Sequence, residues 1–302
     1  MSEWTDLGGG LRVRQSRLFQ MNSVLLLDRD HAVVVDPGVL PAELEDLARV
    51  TRESGAHAVT LVLTHAHWDH VLGRPWFAGA RTLAHDRFEA ELRRDLEHIR
   101  VESAKHATQH GESYAKPFEP FAPDEAVSGL HFMKLDPWRL VLRDATGHSS
   151  SQISIHLPER RVLIAADMLS DIEIPALEGP CAVYLRTLKT LEPVFEAGAV
   201  ETLIPGHGTI VTGAASARLR LTHDLDYLEA LEHGVREARA AGLAAEDAVG
   251  KLAGLTHGGR PIESEYNVEC HRENVRRTWA GVVQGPTAPA RKGPGGKYRA
   301  GK

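Results

Sequence analysis

The chain has 302 residues, 42% hydrophobic and 25% charged, with a formal charge of -6, an ordinary globular make-up with room for one large domain or two small ones. With no surplus of Lys and Arg to displace counterions from phosphates, a nucleic-acid partner is not expected. Cys181 and Cys270 lie far apart and outside any CxxC arrangement, so neither a disulfide framework nor a thiolate zinc site is indicated, while the absence of an export-signal pattern and of a spanning apolar run predicts a cytoplasmic protein away from membranes.

In chain order, Leu11 to Gln15 and Phe19 to Leu27 read as strands, and Asp28-Arg29-Asp30 as the turn of a hairpin leading to a third, His31 to Val35. Asp36-Pro37-Gly38 stops that strand. Asp36 has two readings there, a turn-capping carboxylate or an acceptor for the free ring N–H of a metal-bound histidine. Ala42 to Glu53 has helical spacing in Leu44, Leu47 and Val50. The apolar run Val59 to Leu63 then ends in Thr64-His65-Ala66-His67-Trp68-Asp69-His70.

This stretch crowds His65, His67, Asp69 and His70 at one strand end. If buried for packing, each polar tip would need its own partner. Imidazole and carboxylate are, by contrast, what a borderline ion such as zinc accepts. Residues two apart on an extended segment share a face, so His65 and His67 can reach one ion together, and the turn that follows swings Asp69 and His70 toward a second.

Val71 to Phe77 reads as a short helix and Arg81 to Ala84 as a strand, the rhythm of a layered α/β protein. Residues 86–122 break it. Phe88 to Lys105 reads as a charged helix, and the irregular stretch after it carries Tyr114, Phe118 and Phe121. The region is expected to be an insertion that covers the metal site, with His98, His106 and His110 on exposed positions. Leu130 to Leu135 and Arg139 to Arg143 begin a second sheet that leads to Thr146-Gly147-His148-Ser149, and Gln152 to His156 alternates as a strand. Arg161 to Ala165 runs into Ala166-Asp167-Met168-Leu169. A carboxylate after so apolar a run is costly unless neutralised, which suits a bridge between two ions better than a helix N-cap. After a helix over Val183 to Glu196, the strand Glu201 to Ile204 ends in Pro205-Gly206-His207-Gly208. Segments 86–122 and 171–184 are expected to line the pocket, with Tyr184 as an oxyanion or substrate contact. Ala214 to Ala241, Ala245 to Leu252 and Tyr266 to Val283 read as helices, and 285–302, rich in Gly, Pro, Lys and Arg, as a disordered basic tail.

Asp36-Pro37-Gly38, His65-Ala66-His67-Trp68-Asp69-His70, Thr146-Gly147-His148-Ser149, Ala166-Asp167-Met168-Leu169 and Pro205-Gly206-His207-Gly208 form an ordered set. Over about residues 10–213 the chain resembles the metallo-β-lactamase fold superfamily, especially its glyoxalase II-like hydrolases. The resemblance implies an α/β chain folded as an αββα four-layer sandwich, with residues 1–213 as the catalytic domain and 214–284 as a helical C-terminal region. It implies two divalent metal ions, zinc in the first place and iron or manganese otherwise. His65, His67 and His148 would hold one ion, Asp69, His70 and His207 the other, and Asp167 would bridge them. A hydroxide between the ions would attack an ester-like, thioester, lactone or amide carbonyl of a small-molecule substrate, with Asp69 or a metal-bound water relaying a proton.

Three other readings stay open. A mononuclear iron sulfur dioxygenase would use His65, His67 and His148 alone. A phosphodiesterase or RNase would want a basic cleft, for which Arg272, Arg276 and Arg277 are the candidates. A non-catalytic zinc-stabilised binding protein would have a closed site. A glutathione-binding pattern is not evident in the C-terminal region, and either a monomer or a homodimer is compatible with the chain.

Overall fold

Apolar residues alternate along the central strands, so each strand has two faces to cover. Val24, Leu26, Val33, Val35 and Val62 turn one way into a shared apolar cluster, while Leu25, Val34 and Leu61 turn the other way onto a helix carrying Leu47 and Ala48. The computed structural model describes residues 3–135 and 138–281; the tail expected to be disordered, 285–302, lies outside the described residues.

The first sheet is built from β1 (Glu3–Asp6), β2 (Leu11–Gln15), β3 (Asn22–Leu27) and β4 (His31–Val35). Helix α1 (Pro41–Glu53) then leads to β5 (Ala58–Val62) and β6 (Arg81–His85). Helices α2 (Phe88–Arg94) and α3 (Leu96–Gln109) precede β7 (Glu125–Val127). The seven strands lie in chain order, antiparallel from β1 to β4 and parallel from β4 to β7. The second sheet comprises β8 (Leu130–Leu135), β9 (Trp138–Asp144), β10 (Ile153–Leu157), β11 (Val162–Ile164), β12 (Thr202–Ile204) and β13 (Val211–Thr212), with α4 (Cys181–Glu196) crossing between β11 and β12. It runs in order β13-β12-β11-β10-β9-β8, with only β11 and β12 parallel.

Between the sheets, Val24, Val33, Val35 and Val62 meet Leu140, Leu142, Ile153, Ile155, Ile164 and Ile204. Outside the second sheet, Leu163 and Leu203 pack with Leu188 and Leu191 of α4. The layers are therefore helix, sheet, sheet, helix, the αββα sandwich. Helix α5 (Ala214–Ala240), α6 (Ala245–Leu252), a small hairpin of β14 (Thr256–His257) and β15 (Arg260–Pro261), and α7 (Glu265–Gly281) extend the outer layer on α4. Leu221, Tyr227, Leu228, Leu231, Val235 and Val275 join the same cluster as the α4 side chains.

Several local expectations are corrected. Phe19 and Gln20 are not in the strand: both have positive φ, at 53° and 49°, and form a loop whose backbone reaches the β12 end. Val71 to Phe77 is no helix beyond a single 3-10 turn at Arg74–Trp76, and Gly73 at its start packs so closely on Pro37 that a side chain would not fit there. The helix 88–105 breaks at Asp95 into α2 and α3. His106 is half-buried rather than exposed, with its ring stacked on Trp68 at 5.1 Å.

Asp46 of α1 clamps the first two strands by accepting from Trp4 Nε1 at 3.0 Å and Arg14 Nε at 3.1 Å. Burial opposes its ionisation, yet hydrogen bonds from Arg49, Trp4 and Arg14 hold the carboxyl at about 2. A depressed folded-state pKa adds stability that is present above the unfolded value near 4 and is lost as pH falls toward the folded one. Asp46→Asn is accordingly expected to cost roughly 1–2 kcal/mol at neutral pH and to flatten the acid limb between about pH 4 and 2, read by urea unfolding across that range.

Candidate metal centre

The sandwich delivers its polar residues to one edge. Register Val35↔Val62 in the parallel β4–β5 pair sets Asp36 beside the segment after β5, and Ile164↔Ile204 does the same for the ends of β11 and β12. Ile153 N–H donates to Thr64 O at 2.8 Å, and Asn22 donates to Pro205 O and Gly208 O, so the two sheets are stitched together at this edge. His65, His67, Asp69, His70, His148, Asp167 and His207 all come together there.

Their donor atoms fall into groups, each within 4.8 Å: His65, His67, His148 and Asp167; Asp69, His70 and His207; and Asp167, Glu173 and His207. The two Asp167 oxygens lie 3.2 Å from His70 Nε2, 3.2 Å from His148 Nε2, 3.5 Å from His207 Nε2 and 3.6 Å from His65 Nε2, spanning the first two groups. Two atoms bound tetrahedrally to one zinc at its usual bond length are roughly 3.4 Å apart.

The outward ring nitrogens decide the tautomers. His70 Nδ1 faces Asp36 Oδ2 at 2.9 Å, His67 Nε2 faces Glu178 Oε1 at 2.9 Å, His148 Nδ1 faces Ala176 O at 3.2 Å and His207 Nδ1 faces Phe19 O at 3.0 Å. Carboxylates and carbonyls can only accept, so these four nitrogens carry the proton. The Thr64 hydroxyl gives its hydrogen to Asp36 Oδ2 and so accepts from His65 Nδ1 at 3.0 Å. In the neutral imidazoles, the five inward nitrogens are then bare lone pairs. His67 Nδ1 and His148 Nε2 meet at 2.9 Å, His70 Nε2 and His207 Nε2 at 3.3 Å, while His65 Nε2 and Asp167 Oδ1 are buried without any hydrogen-bond partner. Lone pairs converging on lone pairs and a carboxylate repel unless a cation lies among them. The residues therefore fit a metal centre.

The electrostatics show the same demand for positive charge, which ring protons meet at His70 and His207 in the absence of an ion. Burial opposes the charge of Asp167, but His70, His207 and His65 hold its carboxyl well below the usual range. Burial also opposes protonation of His207, yet Asp167 and Glu173 raise it to about 10, and His70 is likewise raised by Asp167, Asp69 and Asp36. Burial, with His70 beside it, pushes His65 well below its usual value. Burial works against Glu178 too, but the hydrogen bond from His67 lowers its carboxyl to about 2.

Backbone strain marks the same spot. Ala166 and Leu169 have φ of 50° and 62° on either side of Asp167, and Asp36 has 47°. Gly206 is required there, since a Cβ would stand 2.1 Å from Asp167 Oδ1. Asp36 thus fills both of its readings, as a turn residue bonded to Thr64 N and as the orienting partner of His70.

Tyr184 is corrected. Its ring is fully buried under Gly147 and its hydroxyl donates to Asp167 O at 3.0 Å, so it props the Asp167 backbone and offers nothing to a substrate. Two residues escaped the sequence reading. Glu91 of α2 is buried and accepts from Ser149 Oγ at 2.8 Å, from Ser150 N at 3.1 Å, and from the Ser150 and Ser151 hydroxyls. It anchors the loop that carries His148. Removing it takes the shared acceptor from four donors, so Glu91→Ala is expected to cost about 2–4 kcal/mol, with Glu91→Gln costing less, as measured by denaturant unfolding. Glu173 is the second.

A cleft of about 990 Å³ opens over the centre, between Trp68, Ile99 and His106 on one side and Leu177, Tyr266 and Arg277 on the other. Helix α3 and the segment 172–178 line it as expected, but the irregular stretch 113–121 does not: Tyr114, Phe118 and Phe121 line a separate cavity with Trp76. The cleft carries Asp95, Glu102, Glu173 and Glu178 against Arg94, Lys105 and Arg277, and is no basic groove. No helix among the described residues is long and apolar enough to cross a membrane.

Sequence comparison finds a match of residues 16–223 to the metallo-beta-lactamase superfamily. Among curated proteins, the chain is 23% identical over 152 residues to the probable metallo-hydrolase YqgX of Bacillus subtilis, covering 50% of this chain and 66% of that protein. It is 25% identical over 200 residues to the hydroxyacylglutathione hydrolase GloC of Haemophilus influenzae, covering 64% and 88%. Among solved structures, the sec-alkylsulfatase Pisa1 from Pseudomonas sp. superposes with a TM-score of 0.70 at 15% identity, over 97% of this chain and 52% of that one. The chain thus spans about half the length of that sulfatase. The DIM-1 metallo-beta-lactamase gives 0.57 at 18% identity, over 76% and 97%. At such identities the structural likenesses speak for the fold alone.

Proposed function

The chain belongs to the metallo-beta-lactamase superfamily, and from that premise we propose that it is a hydrolase of small-molecule acyl compounds working with two divalent ions, zinc in the first place. His65, His67 and His148 would hold one ion and Asp69, His70 and His207 the other, with Asp167 within reach of both sets. The observation that carries the reading is the set of five inward imidazole lone pairs, each fixed by an outward acceptor. When bound, the ions supply a water of lowered pKa and a positive field for the oxyanion that forms on the acyl carbon.

The chain's own groups do the rest. Asp36, Glu178, Ala176 O, Phe19 O and Thr64 hold the imidazole planes, so little reorganisation is needed as charge develops. Asp69, at 11% side-chain exposure, stands where the centre meets the cleft and is placed to pass a proton to the leaving group. Trp68, Ile99 and Leu177 provide the apolar walls for the acyl part. The relatives' names include a metallo-hydrolase and a hydroxyacylglutathione hydrolase, which favours ester, thioester, lactone or amide carbonyls. A polyanionic substrate is disfavoured by the acidic rim. The second donor group of Asp69, His70 and His207 would be surplus in a mononuclear iron dioxygenase, which favours hydrolysis. The active chain is proposed to be cytoplasmic, as a monomer or homodimer.

The test joins metal quantification to a panel of thioester, lactone, β-lactam and phosphodiester substrates. Two ions per chain with turnover confined to acyl substrates is expected. Iron alone with oxygen uptake on a persulfide would overturn the proposal.

A further inference from the structure

Glu173 stands among the metal-facing groups without a role. One of its oxygens lies within 4.8 Å of donor atoms on Asp167 and His207. The side chain sits half-buried on the cleft wall, and its carboxylate has no hydrogen bond or ion pair among the described residues. A partly shielded carboxylate held beside a second, buried carboxylate is stabilised by a cation between them. Beside it, Asp167 is 6% exposed at the side chain and its Oδ1 has no hydrogen-bond partner. An oxygen of each acid therefore lies within 4.8 Å of the other and of a ring nitrogen of His207.

The chain holds Glu173 there deliberately. Ser170 Oγ donates to His207 O at 2.9 Å and accepts the N–H of Ile172 and of Glu173, each at 3.1 Å, which ties residue 173 to the backbone of residue 207. Two asparagines of α7 then clamp the strap that follows. Asn267 donates to Ile172 O at 2.8 Å and accepts from Ile174 N at 3.3 Å. Asn274 donates to Pro175 O at 2.6 Å and accepts from Leu177 N at 2.9 Å. The strap has no regular structure of its own, so its geometry is set by a helix about 100 residues later in the chain.

We propose that Glu173 is a further ligand of the second ion, the one faced by Asp69, His70 and His207, and that the strap clamped by α7 serves to present it. This rests on the two-ion reading. The first ion would keep a nitrogen-rich set of three imidazoles and the shared Asp167. The second would have three carboxylates to two imidazoles, an oxygen-rich set that suits a harder, higher-coordinate ion such as Mn²⁺ better than tetrahedral zinc. Glu173 also returns one more negative charge to the centre, which turns the site away from anionic substrates.

The experiment is a titration of the metal-stripped full chain with Zn²⁺ and separately with Mn²⁺, followed by calorimetry and by metal analysis after dialysis, for the wild type, Glu173→Gln and Glu173→Asp. The wild type is expected to bind two ions. Glu173→Gln is expected to keep the tighter ion at unchanged affinity, which certifies its fold, while the weaker one loses at least tenfold, more for Mn²⁺ than for Zn²⁺, with Glu173→Asp between. Two ions bound by Glu173→Gln as tightly as by the wild type would overturn the assignment of Glu173 and leave the two-ion reading standing. A wild type that saturates at one ion would overturn the two-ion reading, and the assignment with it.

Discussion

Replacing Asp167 by Ala is expected to abolish hydrolysis to within background, a loss of at least about a thousandfold in kcat/KM, or some 4 kcal/mol. The size follows from position. Its two oxygens lie 3.2 to 3.6 Å from four inward imidazole nitrogens drawn from both donor groups, so no other side chain can take over the contact. Taking the carboxylate away leaves His70, His148, His207 and His65 facing one another without a negative charge between them, and the affinity for cations should fall at both positions. Asp167→Asn separates charge from shape, since the amide keeps the volume that Gly206 accommodates. It is expected to fail nearly as badly. Kinetics with the best substrate of the panel, together with bound metal per chain, check both variants; near-normal turnover in a metal-depleted Asp167→Ala protein would remove the basis of the proposed chemistry.

Stripping the metal with a chelator is expected to lower the melting temperature by roughly 10 °C or more. An ion held at about a thousand times its dissociation constant stabilises the folded chain by about 4 kcal/mol, so two contribute about 8, and for a chain of this size each kcal/mol moves Tm by about 1.5 °C. The site has a specific reason to depend on the cation. It gathers five imidazoles and three carboxylates at the meeting edge of the two sheets, next to left-handed backbone at Asp36, Ala166 and Leu169. Strain and lone-pair repulsion both act to open that edge when nothing offsets them. Differential scanning calorimetry before and after chelation, and again after Zn²⁺ is restored, measures the effect; an unchanged melting temperature would mean that the cluster is held by the protein alone.

The layered α/β rhythm and the clustered histidines were legible in the chain because both follow short-range rules, whereas the αββα sandwich came from the family resemblance. Val59 to Leu63 is too apolar for a surface, and His65, His67, Asp69 and His70 directly after it are too polar for a core. What escaped depends on long-range placement. Nothing near Glu173 marks it, since its position is set by Ser170 against the His207 backbone and by Asn267 and Asn274 nearly 100 residues downstream. Glu91 looked like one more charge on an amphipathic helix, and only the packing of α2 against the serines after His148 buries it. Tyr184 misled for the converse reason. It lies in the segment expected to line the pocket, but Gly147 lets the backbone close over it and turns its hydroxyl to Asp167 O. His106, expected on the surface, is drawn into the cleft by Trp68 of the histidine-rich stretch itself.

The most direct test of the two-ion centre is a crystal structure of the metal-loaded chain with anomalous diffraction recorded across the zinc and manganese edges. Two peaks are predicted at the sheet edge, one bounded by His65, His67 and His148 and the other by Asp69, His70 and His207, with Asp167 touching both. One peak, or two placed away from those seven side chains, would contradict it.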